Sequence, residues 1–466
     1  MDAQQVQQDL LNLFGKQKVL TEKLDLMYYS YDSSFLTKMK PQNPWAVVLP
    51  DSTADVQELM KYAYLNQIDV IPRGAGTGET GGSVALNGGI VLDMSNFNEI
   101  VEIDQKNMQV IVRPGIIHAD LNKRLAEYNL FFPPDPGSSQ MCTVGGMVSN
   151  NASGLRAVKY GCTEQYVLGL EIVLPNGEIM YTGGIKARTL KNVSGLNLTK
   201  IMVGSEGVLG VITRIRLRCW PKPKARGIAM AVFDSLDDAP ATVLEIYQAG
   251  IMPSGMEILD SSAIGAVNLY KPEINLPEAE AILLFEVDGN PPSVEYEGNV
   301  IKEVAGRRAR NVEWSTDPQR MAQLWEGRSV TATAAARIRS DGTRVFAGED
   351  ISVPLDKVAD TLRAIRKLGQ KYDIQVVNYG HIGDGNVHTA PVINPEIPEE
   401  VERVNQLVHE IHLLAIELNG STTGEHGVGA VRRQYAEIEH GNAVNYMKKI
   451  KQVFDDKGIM NPGKLF

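Results

Sequence analysis

Cysteine is scarce in this 466-residue chain. Its three residues, Cys142, Cys162 and Cys219, form no C-x-x-C pair. That excludes an iron–sulfur cluster on the usual ligand spacing and points to a reducing compartment. Long apolar runs are missing too, and none approaches the roughly 20 residues that cross a bilayer. The start, Met1-Asp-Ala-Gln-Gln-Val-Gln-Gln-Asp9, lacks the basic and apolar stretches of a signal peptide, and has too little arginine for a mitochondrial presequence. Basic residues are the minority, 46 against 56 acidic. The resulting charge of −10 argues against nucleic acid or anionic lipid as the main partner. From these absences a cytoplasmic protein with no membrane span is expected. There is no internal repeat and no low-complexity tract.

What is present fits a soluble globular protein: 43% apolar and 22% charged residues. The length exceeds one ordinary core and implies two or three domains. Histidine is rare, with seven in all, yet three fall in two glycine-framed stretches. These are Asn378-Tyr-Gly-His-Ile-Gly-Asp-Gly-Asn-Val-His388 and Thr423-Gly-Glu-His-Gly-Val-Gly429. A lone histidine is usually structural, but His381, His388 and Glu425 together make a three-point site for a divalent cation with positions left for substrate. His426 is then left over as a proton acceptor. The glycines suggest tight, non-helical backbone, so the site is expected on loops. His409 and His412 imitate a zincin helix, but they are three apart where that motif needs four. They read as helix-surface residues.

Along the chain, residues 4–14 and 16–26 read as amphipathic helices. Then come a strand at 46–49, a helix from an N-cap at Thr53 to about Asn66, and strands at 69–72, 89–93 and 110–113. Residues 119–128 are helical. A glycine-rich loop spans Pro133 to Gly154, and strands follow at 167–174, 179–182, 201–203 and 208–218. Trp220-Pro-Lys-Pro-Lys-Ala-Arg226 reads as an interdomain linker. Beyond it, strands (227–232, 281–287, 346–353) alternate with helices (238–249, 317–335, 355–371), which reads as α+β with an antiparallel sheet. Helices at 399–419 and 442–457 close the chain.

Gly76-Thr-Gly-Glu-Thr-Gly81 satisfies G-x-G-x-x-G after a strand. A Rossmann unit would open a helix at the third glycine, whereas here another strand follows Gly82–Gly89. The run reads better as a nest of backbone N–H groups for phosphate oxygens. The loop of Pro136, Gly137, Ser138, Thr143, Gly145, Gly146, Ser149, Asn150 and Gly154 has the same character. The bland reading, two tight turns, is set against their length, beyond a typical connection of two to six residues.

At these motifs the chain resembles the FAD-dependent oxidoreductases with a para-cresol-methylhydroxylase/vanillyl-alcohol-oxidase-type flavin domain. Within them it is similar to the D-2-hydroxyacid dehydrogenases, the group that includes the flavoprotein component of glycolate oxidase and bacterial D-lactate dehydrogenase. Pro72-Arg-Gly-Ala-Gly-Thr-Gly78 looks like the pyrophosphate loop. Pro136-Gly-Ser138, Thr143-Val-Gly-Gly146 and Gly204-Ser-Glu-Gly-Val-Leu-Gly210 look like further flavin-contacting segments. Gly380–His388, Gly424–Gly429 and Asn461-Pro-Gly-Lys464 look like the family's C-terminal motifs. The resemblance implies an α+β architecture: a flavin domain of two α/β subdomains, an α+β cap with an antiparallel sheet, and a C-terminal helical segment. Its boundaries would be an N-terminal helical segment at 1–39, the FAD domain at 40–222, the cap at 223–430, and a tail returning to the flavin at 431–466.

Carried over residue by residue, it implies that Arg73, Gly74, Ala75, Gly76, Thr77, Gly78, Glu206, Gly207, Val211, Ile212 and Asn461 join the second loop in binding FAD. It implies His381, His388 and Glu425 as ligands of one divalent metal (zinc, iron(II) or manganese), His426 as general base, and Arg328 on the substrate carboxylate. Without the resemblance, Arg328 would read as a solvent-facing helix arginine. The pyrophosphate loop has no histidine, so FAD is expected to be non-covalent. Two departures stand out. Ala390 replaces an asparagine many relatives carry, and Glu349 stands near where relatives acting on 2-hydroxyglutarate have a lysine, favouring a small monocarboxylate.

The expected reaction is oxidation of a small D-2-hydroxy acid, D-lactate first and glycolate second. Electrons would pass to a protein partner, either electron-transferring flavoprotein, as in electron-bifurcating complexes, or an iron–sulfur protein. A metallohydrolase would need the histidine stretches but not the phosphate-type loops. A non-catalytic flavin carrier would need the loops but not the histidines. Both sets are present.

Overall fold

A computed structural model describes residues 2–184, 186–345 and 350–466. The chain divides into two compact units. The first holds the chain up to Ser153, Cys162–Lys222 and Glu425–Phe466. The second holds Gly154–Gly161 and Pro223–Gly424.

The first unit is built on two sheets. In the smaller, Ala46–Val48 and Val70–Arg73 both run parallel to Ile90–Asp93, and Val19–Leu20 pairs antiparallel with Ala46–Val48. Ile90–Asp93 is buried throughout, as near-continuous apolar runs in parallel strands are. The crossover helix Thr53–Asn66 lays Val56, Leu59, Met60 and Ala63 on one face toward this core. Its N-cap is Ser52, not Thr53: Ser52 Oγ accepts the Asp55 N–H, and the Asp55 carboxylate accepts the Ser52 N–H. The C-terminal tail extends the sheet edge, with Val70 N–H donating to Ile459 O and Asn461 N–H to Val70 O. The larger sheet is antiparallel, in the order Ile100–Asp104, Gln109–Val112, Val211–Arg218, Val167–Val173, Ile179–Tyr181.

The second unit carries one antiparallel sheet. Its order is Asn311–Ser315, Ala225–Phe233, Ala281–Gly289, Gly255–Asp260, Gln375–His381, Asn386–Ile393, Thr343–Arg344, with Ile351–Ser352 also on Asn386–Ile393. Helices Ser261–Tyr270 and Pro318–Ala335 share a core with it, through Ile264, Val267, Leu324 and Ala334 against Ile228, Leu284 and Val377. The short segment 154–161 joins this unit by ion pairs. Arg156 Nε meets Glu286 Oε1 at 2.8 Å and Lys159 Nζ meets Asp288 Oδ1 at 2.6 Å.

Several local expectations are corrected. Residues 16–26 are not one helix; they give strand Val19–Leu20 and the start of helix Lys23–Tyr28. The second glycine-rich stretch contains helix Val144–Asn150, whose Gly146 N–H donates to Thr143 Oγ1 at 3.2 Å; this cap outweighs the two glycines. Residues 201–203 are no strand, since Leu198–Met202 is a helix capped by Asn197. Trp220–Pro221 pairs with Leu130–Phe131, and Ala225 already opens a nine-residue strand, so the linker shrinks to Lys222–Lys224. Within the segment 1–39, Val6 and Leu10 belong to the core under the parallel sheet. His412 is buried rather than on the helix surface, with its Nδ1 2.7 Å from Val408 O.

Candidate functional site

In the first unit the two glycine-rich stretches meet. A Cβ on Gly74 would lie 2.2 Å from Thr143 Oγ1, so only glycine lets the strands' loops approach this closely. Gly76 has φ +67° and curls over the Arg73 guanidinium; a Cβ there would sit 2.3 Å from Nη2. That guanidinium is buried, donating to Tyr31 O (3.0 Å) and Ser83 O (3.3 Å) while lying over the Tyr29 ring. Arg73 thus braces the loop from below. Gly145 packs on Pro114, its N–H donating to Pro114 O at 2.7 Å. Ala75 and Gly137 are exposed and Thr77, Gly78, Pro136 and Ser138 half-buried, with open space beside Gly78 and Gly137.

Glu206 knits this region together. It is buried at φ +49°, and its carboxylate accepts the N–H groups of Val428 and Gly429, each at 2.7 Å. Its backbone N–H donates to Ser149 O, and its carbonyl accepts Asn461 Nδ2 at 2.8 Å. Asn461 Nδ2 also donates to Gly82 O. Burial raises the Glu206 carboxyl against the pull of its two N–H partners. Gly207, at φ +76°, packs near Pro72 and Asn461, and Val211 and Ile212 open the central strand of the larger sheet. Gly154 belongs to the second unit.

In the second unit, strand register assembles the other group. Ile258 pairs with Gly380 and Leu259 with Tyr379, which places Glu257 opposite His381. Tyr379 pairs with His388, and His381 lies two residues along from Tyr379 on the same strand face. Three adjacent strands therefore present Glu257, His381, Tyr379 and His388 on one face. The His381 and His388 rings stand edge to face with centroids 5.0 Å apart. His381 Nδ1 lies 2.6 Å from Glu257 Oε1; a carboxylate only accepts, so Nδ1 carries the proton. Arg328, on helix Pro318–Ala335, donates through Nε to the other oxygen of Glu257 at 2.5 Å and lies 4.8 Å over the Tyr379 ring. It is half-buried, not solvent-facing as its bare sequence context suggested.

The histidines thus sit on strands rather than loops. The turn between them is a 3-10 turn, Ile382–Asp384, closed by Gly385 at φ +76°, where a Cβ would meet Val353 O at 2.0 Å. Asn386 in this hairpin donates to Asp350 Oδ1 (2.9 Å), and Thr423 Oγ1 donates to Asp350 Oδ2 (2.6 Å).

Glu425 and His426 belong to the first unit, not to the cap as the expected boundary at 430 would have it. Ser153 Oγ donates to Glu425 Oε2 at 3.1 Å. The His426 ring has a carboxylate on either side, with Nδ1 3.6 Å from Glu79 Oε2 and Nε2 3.8 Å from Glu425 Oε1. Asn150 Nδ2 donates to the His426 carbonyl at 3.3 Å. Sequence reasoning missed Glu257, Asp350, Tyr379 and Glu79. For Glu257 a signal existed: an acidic residue inside the wholly buried strand Gly255–Asp260. Glu349 lies outside the described residues.

Comparison with known proteins defines the class. Residues 44–183 match the FAD binding domain family, and residues 222–465 match the C-terminal domain of FAD linked oxidases. The chain is 36% identical to glycolate oxidase subunit GlcD of Bacillus subtilis, over 100% of this chain and 97% of that protein. It is 33% identical to a D-lactate dehydrogenase of Anaerostipes hadrus (91% and 89%) and 34% identical to the probable mitochondrial D-lactate dehydrogenase of Danio rerio (91% and 84%). In fold it is similar to p-cresol methylhydroxylase with substrate bound, at a TM-score of 0.81 with 17% identity, covering 99% of this chain and 96% of that one. The chain belongs to the FAD-linked oxidases, and within them to the FAD-dependent D-2-hydroxyacid dehydrogenases. No described helix is long and apolar enough to cross a membrane.

The residues present fit the cofactor. Bare glycine backbone lines the Gly74–Gly78 and Pro136–Gly146 stretches, and open space lies beside Gly78 and Gly137. Ser83 Oγ and Asn461 Oδ1 are buried there without a hydrogen-bond partner among the described residues. An extended phosphate-bearing ligand suits such a cradle.

Proposed function

We propose that this chain oxidises a small D-2-hydroxy acid, D-lactate before glycolate, to the 2-oxo acid. The observation that carries this reading is the sheet face shared by His381 and His388 in the second unit, with the helix-borne Arg328 guanidinium lying over Tyr379 of the same face. Arg328 attaches to Glu257 through Nε, and its terminal nitrogens make no hydrogen bond among the described residues. They offer the planar fork that engages a carboxylate bidentately.

His381, His388 and Glu425 would hold one divalent ion, zinc, iron(II) or manganese. With the proton on His381 Nδ1, the lone pair a ligand needs is on Nε2. When bound, the ion would supply Lewis acidity to the substrate hydroxyl and non-covalent FAD a two-electron acceptor. Everything else falls to the chain itself. Arg328 orients the substrate by its carboxylate. His426 takes the hydroxyl proton on a ring nitrogen, where the charge gained sits between Glu79 and Glu425. The Glu206 junction holds the His426 segment to the cofactor loops through Val428 and Gly429. Since the sequence carries no cluster cysteines, electrons leave to a protein acceptor, for which electron-transferring flavoprotein is the first choice and an iron–sulfur protein the second.

Anaerobic mixing of the FAD-loaded protein with D-lactate, L-lactate, glycolate and D-2-hydroxyglutarate tests the reading. Bleaching of the flavin bands should be fastest with D-lactate. Flavin that none of these acids bleaches would overturn it.

A further inference from the structure

Glu257 is a buried acid of the second unit. Its side chain is fully buried in a strand of the central sheet, and both of its oxygens are engaged. Oε1 faces His381 Nδ1 at 2.6 Å and Oε2 faces Arg328 Nε at 2.5 Å. Those two partners have different tasks in the function proposed above, one toward the metal and one toward the substrate carboxylate. The Oε1 contact fixes the His381 tautomer and makes its Nε2 the ligating nitrogen. Oε2 holds the guanidinium by Nε alone, and the terminal nitrogens make no hydrogen bond among the described residues.

We infer that Glu257 is a positioning residue that couples the metal ligand His381 to the carboxylate clamp Arg328, setting metal affinity and substrate affinity together. This rests on the metal-assisted reading of the site. The argument comes from geometry alone: strand register places Glu257 against His381, and helix Pro318–Ala335 delivers Arg328 to the second oxygen. A packing acid would need neither arrangement.

The test uses the FAD-loaded protein and Glu257→Gln, which keeps the shape but offers one acceptor oxygen where two donors need one each. Zinc affinity is measured by competition with a chelator, and D-lactate half-saturation by flavin bleaching. Glu257→Gln should weaken zinc binding by about 10–100-fold and raise the half-saturating D-lactate concentration, with the FAD content unchanged. Wild-type values for both quantities in this variant overturn the coupling. Arg328→Met gives a second arm that stands even if Glu257→Gln does not fold. It leaves the Glu257–His381 bond in place, so it should raise half-saturation without weakening zinc binding. Weakened zinc binding in Arg328→Met would count against separate arms meeting at Glu257. Failure of the underlying reading looks different: the wild-type protein itself would bind no zinc, or His388→Ala would bind it as tightly as wild type.

Discussion

Gly74 and Thr143 stand so close that a Cβ on Gly74 would lie 2.2 Å from Thr143 Oγ1 and 3.4 Å from its Cβ. Two stretches far apart in the chain are thereby locked into one surface. The fit leaves no room for a methyl group, and relief requires the threonine to move, although its hydroxyl also caps helix Val144–Asn150.

Gly74→Ala should therefore destabilise the first unit by about 1–3 kcal/mol, the usual cost of overpacking, and lower the flavin-to-protein ratio after gel filtration. Adding Thr143→Ala removes the clashing hydroxyl and should restore part of the flavin content, at the cost of the helix cap. A double variant no better than Gly74→Ala would show that the contact is not what limits binding.

Replacing His388 by alanine separates the two units' tasks. His388 lies in the second unit, and the glycine-rich stretches lie in the first. The variant should retain its yellow colour and lose D-lactate turnover together with bound metal, read by absorbance and elemental analysis. Loss of flavin on this substitution would mean that the division of labour is wrong.

How much of this was legible in the sequence follows from the range of each interaction. The parallel strand Ile90–Asp93 was plain, because burial on both faces writes a continuous apolar run. The residue types and spacing of His381, His388 and Glu425 raised a metal site as an expectation, but they did not reveal the hairpin that carries the two histidines. Glycines mark sharp backbone without saying whether strands flank it. Leu198–Met202 was misread because Ile201-Met-Val203 is a short apolar run, and such runs suit a strand or a buried helix equally. Glu257 was invisible as a site residue because its partner His381 is 124 residues away and strand register alone joins them. The division of the last motif, with Gly424 in one unit and Glu425 in the next, leaves no compositional trace at all.

Lys464 gives a pH-dependent prediction. It is buried, donates to Val84 O at 3.0 Å, and burial lowers its ammonium to about 8 from 10.5. Below pH 8 both folded and unfolded chains carry the proton, and the folded state bears the whole cost of the enclosed charge. Between about 8 and 10.5 the folded group is neutral while the unfolded one still holds its proton, so this contribution to stability improves as pH rises. Lys464→Met should thus compare best with wild type at pH 7, and its relative melting temperature should decline toward pH 10. A difference that stays constant across that range would show that Lys464 is charged throughout.

Glu425 and His426 are neighbours in the chain, yet their losses should look different. Glu425 accepts from Ser153 and offers an oxygen as a ligand, so Glu425→Gln should weaken metal binding, and excess metal should restore part of the activity. His426→Asn should leave the metal content intact while slowing flavin reduction by roughly 10²–10⁴-fold, the range for a lost general base. The histidine ring lies between Glu79 and Glu425, so a proton taken from the substrate is stabilised there; asparagine has no nitrogen able to accept one. Stopped-flow reduction by D-lactate, with metal content measured on the same samples, distinguishes the two. Should His426→Asn reduce its flavin at the wild-type rate, proton removal belongs to another group, and the carboxylate of Glu79, 3.6 Å from the ring it would replace, is the next to test.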